Sequence, residues 1–346
     1  MKRFILFLVV LLTVLSGLSS CRRSAYHQFT GFAQGGVWQV KCDLSAVSVS
    51  QEDVQQQLDS LLSAIDMSLS GYNKNSILSR HRRGENPPYD SLFLQMLSLS
   101  EKSFRLCEGK VDASASRLFD AWGFGFSCDS LPSDEQLRPL MARRASFSLT
   151  AADGTPQEFN FNALAQGYSC DVLAAYLRSI GVCNMMVNVG GEMYSSGVNP
   201  SGRAWTFGID TPYDGNQQSG ASLIRVFSVG EGPCGVVTSG NYRKFYVKDG
   251  VKYSHTIDPT TGYPVCHSLL SATLVVNPSC SLVLPGGDFE NYPATLADAL
   301  ATYCMVVGFE KAKAFVTSHA GIEACLIYGE QDAMQQWCSE GFLSER

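Results

Sequence analysis

From residue 184 to residue 276 the chain writes one strand after another with no helical period between them. NMMVNV, WTFGID, LIRVFSV, GVVTS and LLSATLVV read as β-strands, rich in β-branched and aromatic residues and bounded by turn formers. Between the last two, RKFYVKDGVKYSHTI folds back at Asp249-Gly250, a pair that tolerates positive φ and marks a two-residue hairpin. Strands that follow one another without crossover helices exclude a regular βαβ array. The expected fold class is therefore α+β, or mixed α/β, with antiparallel or mixed sheets flanked by helices.

The helices fall on either side of this block. Ser50 is placed to cap a helix with Asp53 as its capping-box partner, and Val54, Leu58, Leu61, Leu62 and Ile65 share one face. A second helix is expected over 91–107, with Phe93, Met96, Leu97 and Phe104 inward. A third runs over 165–180 and stops at Gly181, the residue type that ends helices most readily. Two more are expected over 294–307 and 309–319, followed by strand EACLIY and a short terminal helix. VWQVKC, at 37–42, reads as the first strand, and SGYNKNSILSRHRRGE as a polar loop. No GxGxxG and no Walker motif occurs.

The N-terminus speaks for compartment. MKRFILFLVVLLTVLSGLSSC has a basic start, an apolar run and small residues before Cys21, the pattern of a secretory signal. Leu18-Ser19-Ser20-Cys21 resembles a bacterial lipobox, which implies cleavage before Cys21 and its lipidation. Residues 1–20 are thus expected to be a signal peptide, 21–31 a linker, and 32–346 a single domain. A net charge of −6 without a basic stripe excludes nucleic acid as the expected partner. There are twelve cysteines but no CxxC pair, and setting Cys21 aside leaves an odd number. Cysteine-ligated zinc is not expected. Disulfides are compatible with an oxidising compartment, yet ATYCMVV and EACLIY place thiols in apolar runs where they act as small hydrophobes.

Three segments carry candidate chemistry. In PATLADALATYCMVVG, Asp298 and Thr302 stand at i and i+4, so a carboxylate and a hydroxyl emerge on one face. Hard oxygen donors at that spacing suit Mg²⁺ or Ca²⁺, although an apolar helix also uses such residues for local hydrogen bonds. In FNFNALAQGYSCD, loop carbonyls and a helix N-terminus can hold a cation and an anion, or Asn162 can serve as an N-cap. In VNVGGE, paired glycines admit a ligand or another backbone, or simply make a tight turn. His255, on the returning strand of the hairpin and ahead of the Pro259–Gly262 loop, is open to both chemistry and packing.

Together SGYNKNSILSR, GKVDASASRLFDAWGFG, FNALAQGYSCDVLAAYL, VNVGGEMYSSGVNPSGRAWTFGID, TSGNYRKF, YSHTIDPTTGYPV and LADALATYCMVVG occur in the order of the motifs of the ApbE family, which the chain resembles from about residue 32 to 330. Its members are FAD:protein FMN transferases, often lipoproteins facing the periplasm, and the resemblance implies a T-fold-like core. It implies that FAD is split with Mg²⁺, that FMN passes to a threonine or serine hydroxyl of a target flavoprotein, and that AMP leaves. Asp298 and Thr302 then match the side-chain ligands of Mg²⁺, the Ala163 carbonyl its main-chain ligand, and His255 the histidine beside the reacting phosphate. Gln34, Tyr72, Asp112 and Ile257 match positions that contact FAD.

The chain departs from the family pattern in NFNALAQG, where Asn160 replaces an aspartate and Gln166 a lysine or glutamate at the nucleotide. QGG also stands for the usual MGT, and GNYR for GDYR. Two alternatives follow from the same residues. An FAD pyrophosphatase would pass FMN to water, and a flavin-binding lipoprotein would hold FAD without turnover.

Overall fold

The computed structural model describes residues 26–123, 132–213, 220, 222–241, 245–248, 251–254, 256–330 and 333–342. Cys21 and the apolar leader lie outside them, as do His255 and the hairpin residues Asp249 and Gly250. The strands are β1 (Tyr26–Ala33), β2 (Gly36–Asp43), β3 (Met185–Val189), β4 (Glu192–Ser196), β5 (Thr206–Asp210), β6 (Leu223–Ser228), β7 (Cys234–Gly240), β8 (Phe245–Lys248), β9 (Val251–Ser254), β10 (Ile257–Asp258), β11 (Tyr263–Pro264), β12 (Leu269–Val276), β13 (Ile322–Glu330) and β14 (Ala333–Cys338). The helices are α1 (Gln51–Leu69), α2 (Ile77–Arg82), α3 (Ser91–Leu106), α4 (Ser116–Ala121), α5 (Asp134–Ala142), α6 (Ala165–Ser179), α7 (Pro293–Val307) and α8 (Phe309–Ser318).

The main sheet has eight strands in the order β1-β2-β3-β4-β7-β12-β13-β14. Every neighbouring pair is antiparallel, so the fold is α+β as the unbroken strand block requires. Three hairpins, β5–β6, β8–β9 and β10–β11, stand as separate two-stranded sheets. In β8–β9 the register leaves Asp249 and Gly250 between the paired Lys248 and Val251.

α7 organises the core. It packs on β7, β12 and α6, and all its residues except Thr302 and Val307 are buried, which is why its sequence is apolar on every side. Around it, residues of α3, β12, β13 and the Phe159–Phe161 segment form the largest apolar cluster. A second cluster joins α1 and α6 to β1–β4 through Val54, Leu58 and Leu62 of α1; Ile65 is buried in the first cluster, all four as their spacing predicts, and Leu61 is half-buried.

The structure corrects several expectations. Residues 26–31, expected as linker, belong to β1, so VWQVKC is the second strand rather than the first. β1 is an edge strand with only Phe29 fully buried, and an edge needs little apolar alternation. The expected polar loop contains α2, capped by Ser76, whose hydroxyl accepts from the Ser79 N–H at 2.9 Å. The expected terminal helix is β14, which pairs with β13 from Cys325–Cys338 to Glu330–Ala333. Asn162 is not an N-cap: α6 starts at Ala165 after Leu164, with no side-chain cap of its own. All ten described cysteines are free thiols.

Candidate active site

α7 lines a cavity of about 640 Å³ with Asp298, Thr302, Met305 and Val306. Asp298 is 4% exposed, and its Oδ2 accepts the Gly167 N–H of α6 at 3.0 Å. Burial pushes its carboxyl up to about 7, with the Gly167 hydrogen bond acting in the opposite direction. Thr302, half-buried one turn on, lines the same cavity, and so does Ala163 in the loop before α6. A carboxylate and a hydroxyl thus line the cavity beside the Ala163 loop, and both are hard oxygens of the type Mg²⁺ prefers. Among the described residues no three His, Cys, Asp or Glu side chains gather into a metal cluster.

Four further residues singled out in the sequence line this cavity: Tyr72, Asp112, Asn160 and Ile257. Tyr72 is 70% exposed. Ile257 opens β10 and is buried against Leu118, Trp122 and Leu137. Asp112 is committed to the backbone. Its Oδ1 accepts from the Ser114 N–H (2.9 Å) and hydroxyl (2.6 Å), and its Oδ2 from the Ala145 N–H (2.9 Å). Burial raises its carboxyl, and these hydrogen bonds oppose the shift. Asn160 accepts the Asn162 N–H at 3.0 Å and donates its own N–H to the Ala113 carbonyl at 2.8 Å, tying the two loops of the wall together.

Gln34 and Gln166 are elsewhere. Both line a neighbouring cavity of about 610 Å³ that shares Tyr72 and Asn162 with the first. Gln34 sits at φ 52° in the β1–β2 turn and donates through Nε2 to the Ser169 hydroxyl at 2.5 Å, while its Oε1 is buried without a partner. Gln166 lies over Gly190, where an added Cβ would come within 2.0 Å of its Nε2. The Gly-Gly pair is thus the β3–β4 turn, with φ of 68° and 114°, and what approaches it closely is a side chain of this chain. His255 lies outside the described residues, but Thr256 and Ile257, which follow it, line the first cavity.

Sequence reasoning missed Lys110 and the end of β7. Lys110 lines the cavity and holds the turn after β10, with its Nζ 2.7 Å from Asp258 Oδ2 and 2.5 Å from Thr260 Oγ1. Thr238, Ser239 and Gly240, at the end of β7, also line the cavity. The signals were present in GKVDAS and TSGN, since a cation two residues before Asp112 and small polar residues at a strand end both belong to site loops.

Fold and cavity define a class: an antiparallel α+β protein built around a small-molecule cleft whose lining includes two buried carboxylates, Asp112 and Asp298, among neutral polar side chains. The chain belongs to the ApbE family, whose model matches residues 35–326. It is similar to the FAD:protein FMN transferase of Vibrio cholerae serotype O1, at 30% identity over 96% of this chain and 97% of the relative. Among solved structures it resembles the flavin transferase ApbE from Vibrio cholerae, with a TM-score of 0.74 and 28% identity over 92% of this chain and 98% of that one. The apo flavinyl transferase ApbE of Pseudomonas stutzeri aligns with a TM-score of 0.75 and 25% identity, over 92% and 95% of the two chains.

Proposed function

We propose that this chain is an FAD:protein FMN transferase that uses Mg²⁺ to move FMN from FAD onto a threonine or serine hydroxyl of a target flavoprotein, releasing AMP. The observation that carries this reading is convergence. Residues as far apart as Tyr72, Asp112, Asn160, Ala163, Ile257, Asp298 and Thr302 line one cavity, roughly the size of a cofactor pocket.

Asp298, Thr302 and the Ala163 carbonyl would hold Mg²⁺, which when bound offsets charge on the pyrophosphate. The acceptor oxygen bonds to the FMN phosphorus, the bond from that phosphorus to the bridging oxygen breaks, and AMP leaves with that oxygen. His255 takes the hydroxyl proton in this scheme, with Tyr72 and Ile257 placed for ring faces and Asn160 for polar edges. Gln34 and Gln166 belong to the adjoining cavity, into which FAD extends past Tyr72 in this reading. We read the first twenty residues as a signal peptide and Cys21 as the lipidated anchor of a protein facing the periplasm, on the strength of Leu18-Ser19-Ser20-Cys21.

The test mixes a soluble form of the protein, FAD, Mg²⁺ and a domain bearing a threonine acceptor, and follows mass. FMN covalently on the acceptor with AMP released is the expected result. Free FMN and AMP without labelled acceptor would make it a pyrophosphatase, and intact bound FAD a carrier.

A further inference from the structure

Neither α6 nor α7 caps its own N-terminus. Leu164 and Tyr292 occupy the N-cap positions and neither gives a side-chain bond, although the first N–H groups of a helix have no partner within it. Each helix borrows a carboxylate from the other instead. Asp171 of α6, 1% exposed, accepts the Ala294 N–H at 3.1 Å, the Thr295 N–H at 2.7 Å and the Thr295 hydroxyl at 2.7 Å. In return, Asp298 of α7 accepts the Gly167 N–H. Ala294 and Thr295 are the second and third residues of α7, and Gly167 is the third of α6, the donors an N-cap side chain would normally satisfy.

We propose that Asp171 is a positioning residue for the cation site: by clamping the start of α7 to α6 it sets where Asp298 and Thr302 stand relative to the Ala163 carbonyl. The proposal rests on the Mg²⁺ reading given above. Asp171 lines neither cavity, so it acts only through α7. Asp298 follows Thr295 by less than one turn, and Ala163 precedes Gly167 by four residues, so all three donors hang from the two helix starts that the reciprocal cap joins. A slide of α7 along α6 would move the carboxylate and the hydroxyl together and leave the carbonyl behind. An asparagine cannot take over this role, because it has a single acceptor oxygen and would turn an NH₂ group toward backbone N–H donors.

The experiment titrates Mg²⁺ into the FAD-bound soluble protein by calorimetry and records Tm with and without Mg²⁺, for wild type, Asp298→Ala, Asp171→Asn and Thr295→Val. Loss of an outer contact that orients a ligand typically costs about 10- to 100-fold in metal affinity, and that weakening is expected for Asp171→Asn. The rise in Tm produced by Mg²⁺ should shrink as well, which a purely structural role would not cause. Thr295→Val deletes only the hydroxyl bond and decides the matter should Asp171→Asn not fold. It should weaken Mg²⁺ about threefold or more. Wild-type Mg²⁺ affinity in whichever variant folds, alongside loss of binding in Asp298→Ala, overturns the positioning role. Wild-type affinity in Asp298→Ala overturns the cation reading, and the proposal with it.

Discussion

Asp171 and Asp298 are two buried carboxylates on neighbouring helices, and burial lifts both to about 7 against the hydrogen bonds they accept. They differ in what they are given. Asp171 receives three donors from α7 and faces no cavity. Asp298 receives one, from Gly167, and lines the cleft. A buried carboxylate saturated with donors is a structural anchor, whereas one left short of donors retains lone pairs for something else. The same chemical group at similar depth therefore serves two ends, and the count of donors separates them.

The largest expected effect breaks the comparison on the cleft side. Asp298→Ala should remove most Mg²⁺-dependent transfer, since a metal ligand typically secures several kcal/mol of transition-state stabilisation. Full activity in limiting Mg²⁺ would show that its spare lone pairs are idle. His255→Ala should lose about 10² to 10⁴ in transfer rate while FAD and Mg²⁺ still bind. Parallel loss of FAD binding would assign the histidine to the pocket rather than to proton transfer.

Gly167→Ala tests the seam between the two carboxylates. A Cβ there would lie 2.4 Å from the Ala294 carbonyl oxygen and 2.9 Å from Asp298 Cβ, so the helices must part. A destabilisation of about 1–3 kcal/mol is expected. Gly329→Ala, where the added Cβ meets nothing within 4 Å, should stay within about 0.5 kcal/mol. Denaturant unfolding of the pair measures both, and equal stability would mean the α6–α7 contact is slack. Thr302→Ala should be milder than Asp298→Ala, raising the Mg²⁺ requirement without abolishing transfer, because a neutral hydroxyl holds a cation less firmly than a carboxylate.

The smallest effect comes from a buried group with no part in the cleft. His81 is 2% exposed, its Nε2 donates to the Gln157 carbonyl at 2.8 Å, and its Nδ1 accepts from the Tyr89 hydroxyl at 2.8 Å. Burial lowers its pKa, with the Gln157 bond and Glu158 opposing. The folded protein thus resists a proton that the unfolded chain accepts near pH 6.5, so this contribution to stability is present above about pH 6.5 and is lost as pH falls toward the lower folded value. Relative to wild type, His81→Gln should flatten the decline between pH 7.5 and 5.5 while leaving Mg²⁺ affinity unchanged. An unchanged slope would assign the acid sensitivity to other groups.

What could be read in advance followed from local signals. The Asp298–Thr302 spacing, the all-round apolar face of α7 and the Asp249-Gly250 hairpin each lie within a few residues. β14 is not legible as a strand because its residues are mostly exposed, so burial enforces neither a helical nor a strand period. Asp171 is hidden for a different reason. Within α6 it is an ordinary helical aspartate, and its role exists only once two helix starts distant in sequence lie side by side. Asp112 shows the opposite limit, since its position beside the cleft was legible but its commitment to the Ala145 N–H was not.

The reciprocal cap also bears on the order in which the molecule can assemble. Its bonds join residues 131 and 124 positions apart, and closing such loops costs entropy that must be recovered by contacts made afterward. A nascent chain that has emerged only as far as β12 already has most of the main sheet but no α7. It therefore has neither the clamp nor Asp298 and Thr302. The cleft cannot be completed before Pro293–Val307 is available, so a chain kept from folding until then carries no finished cavity.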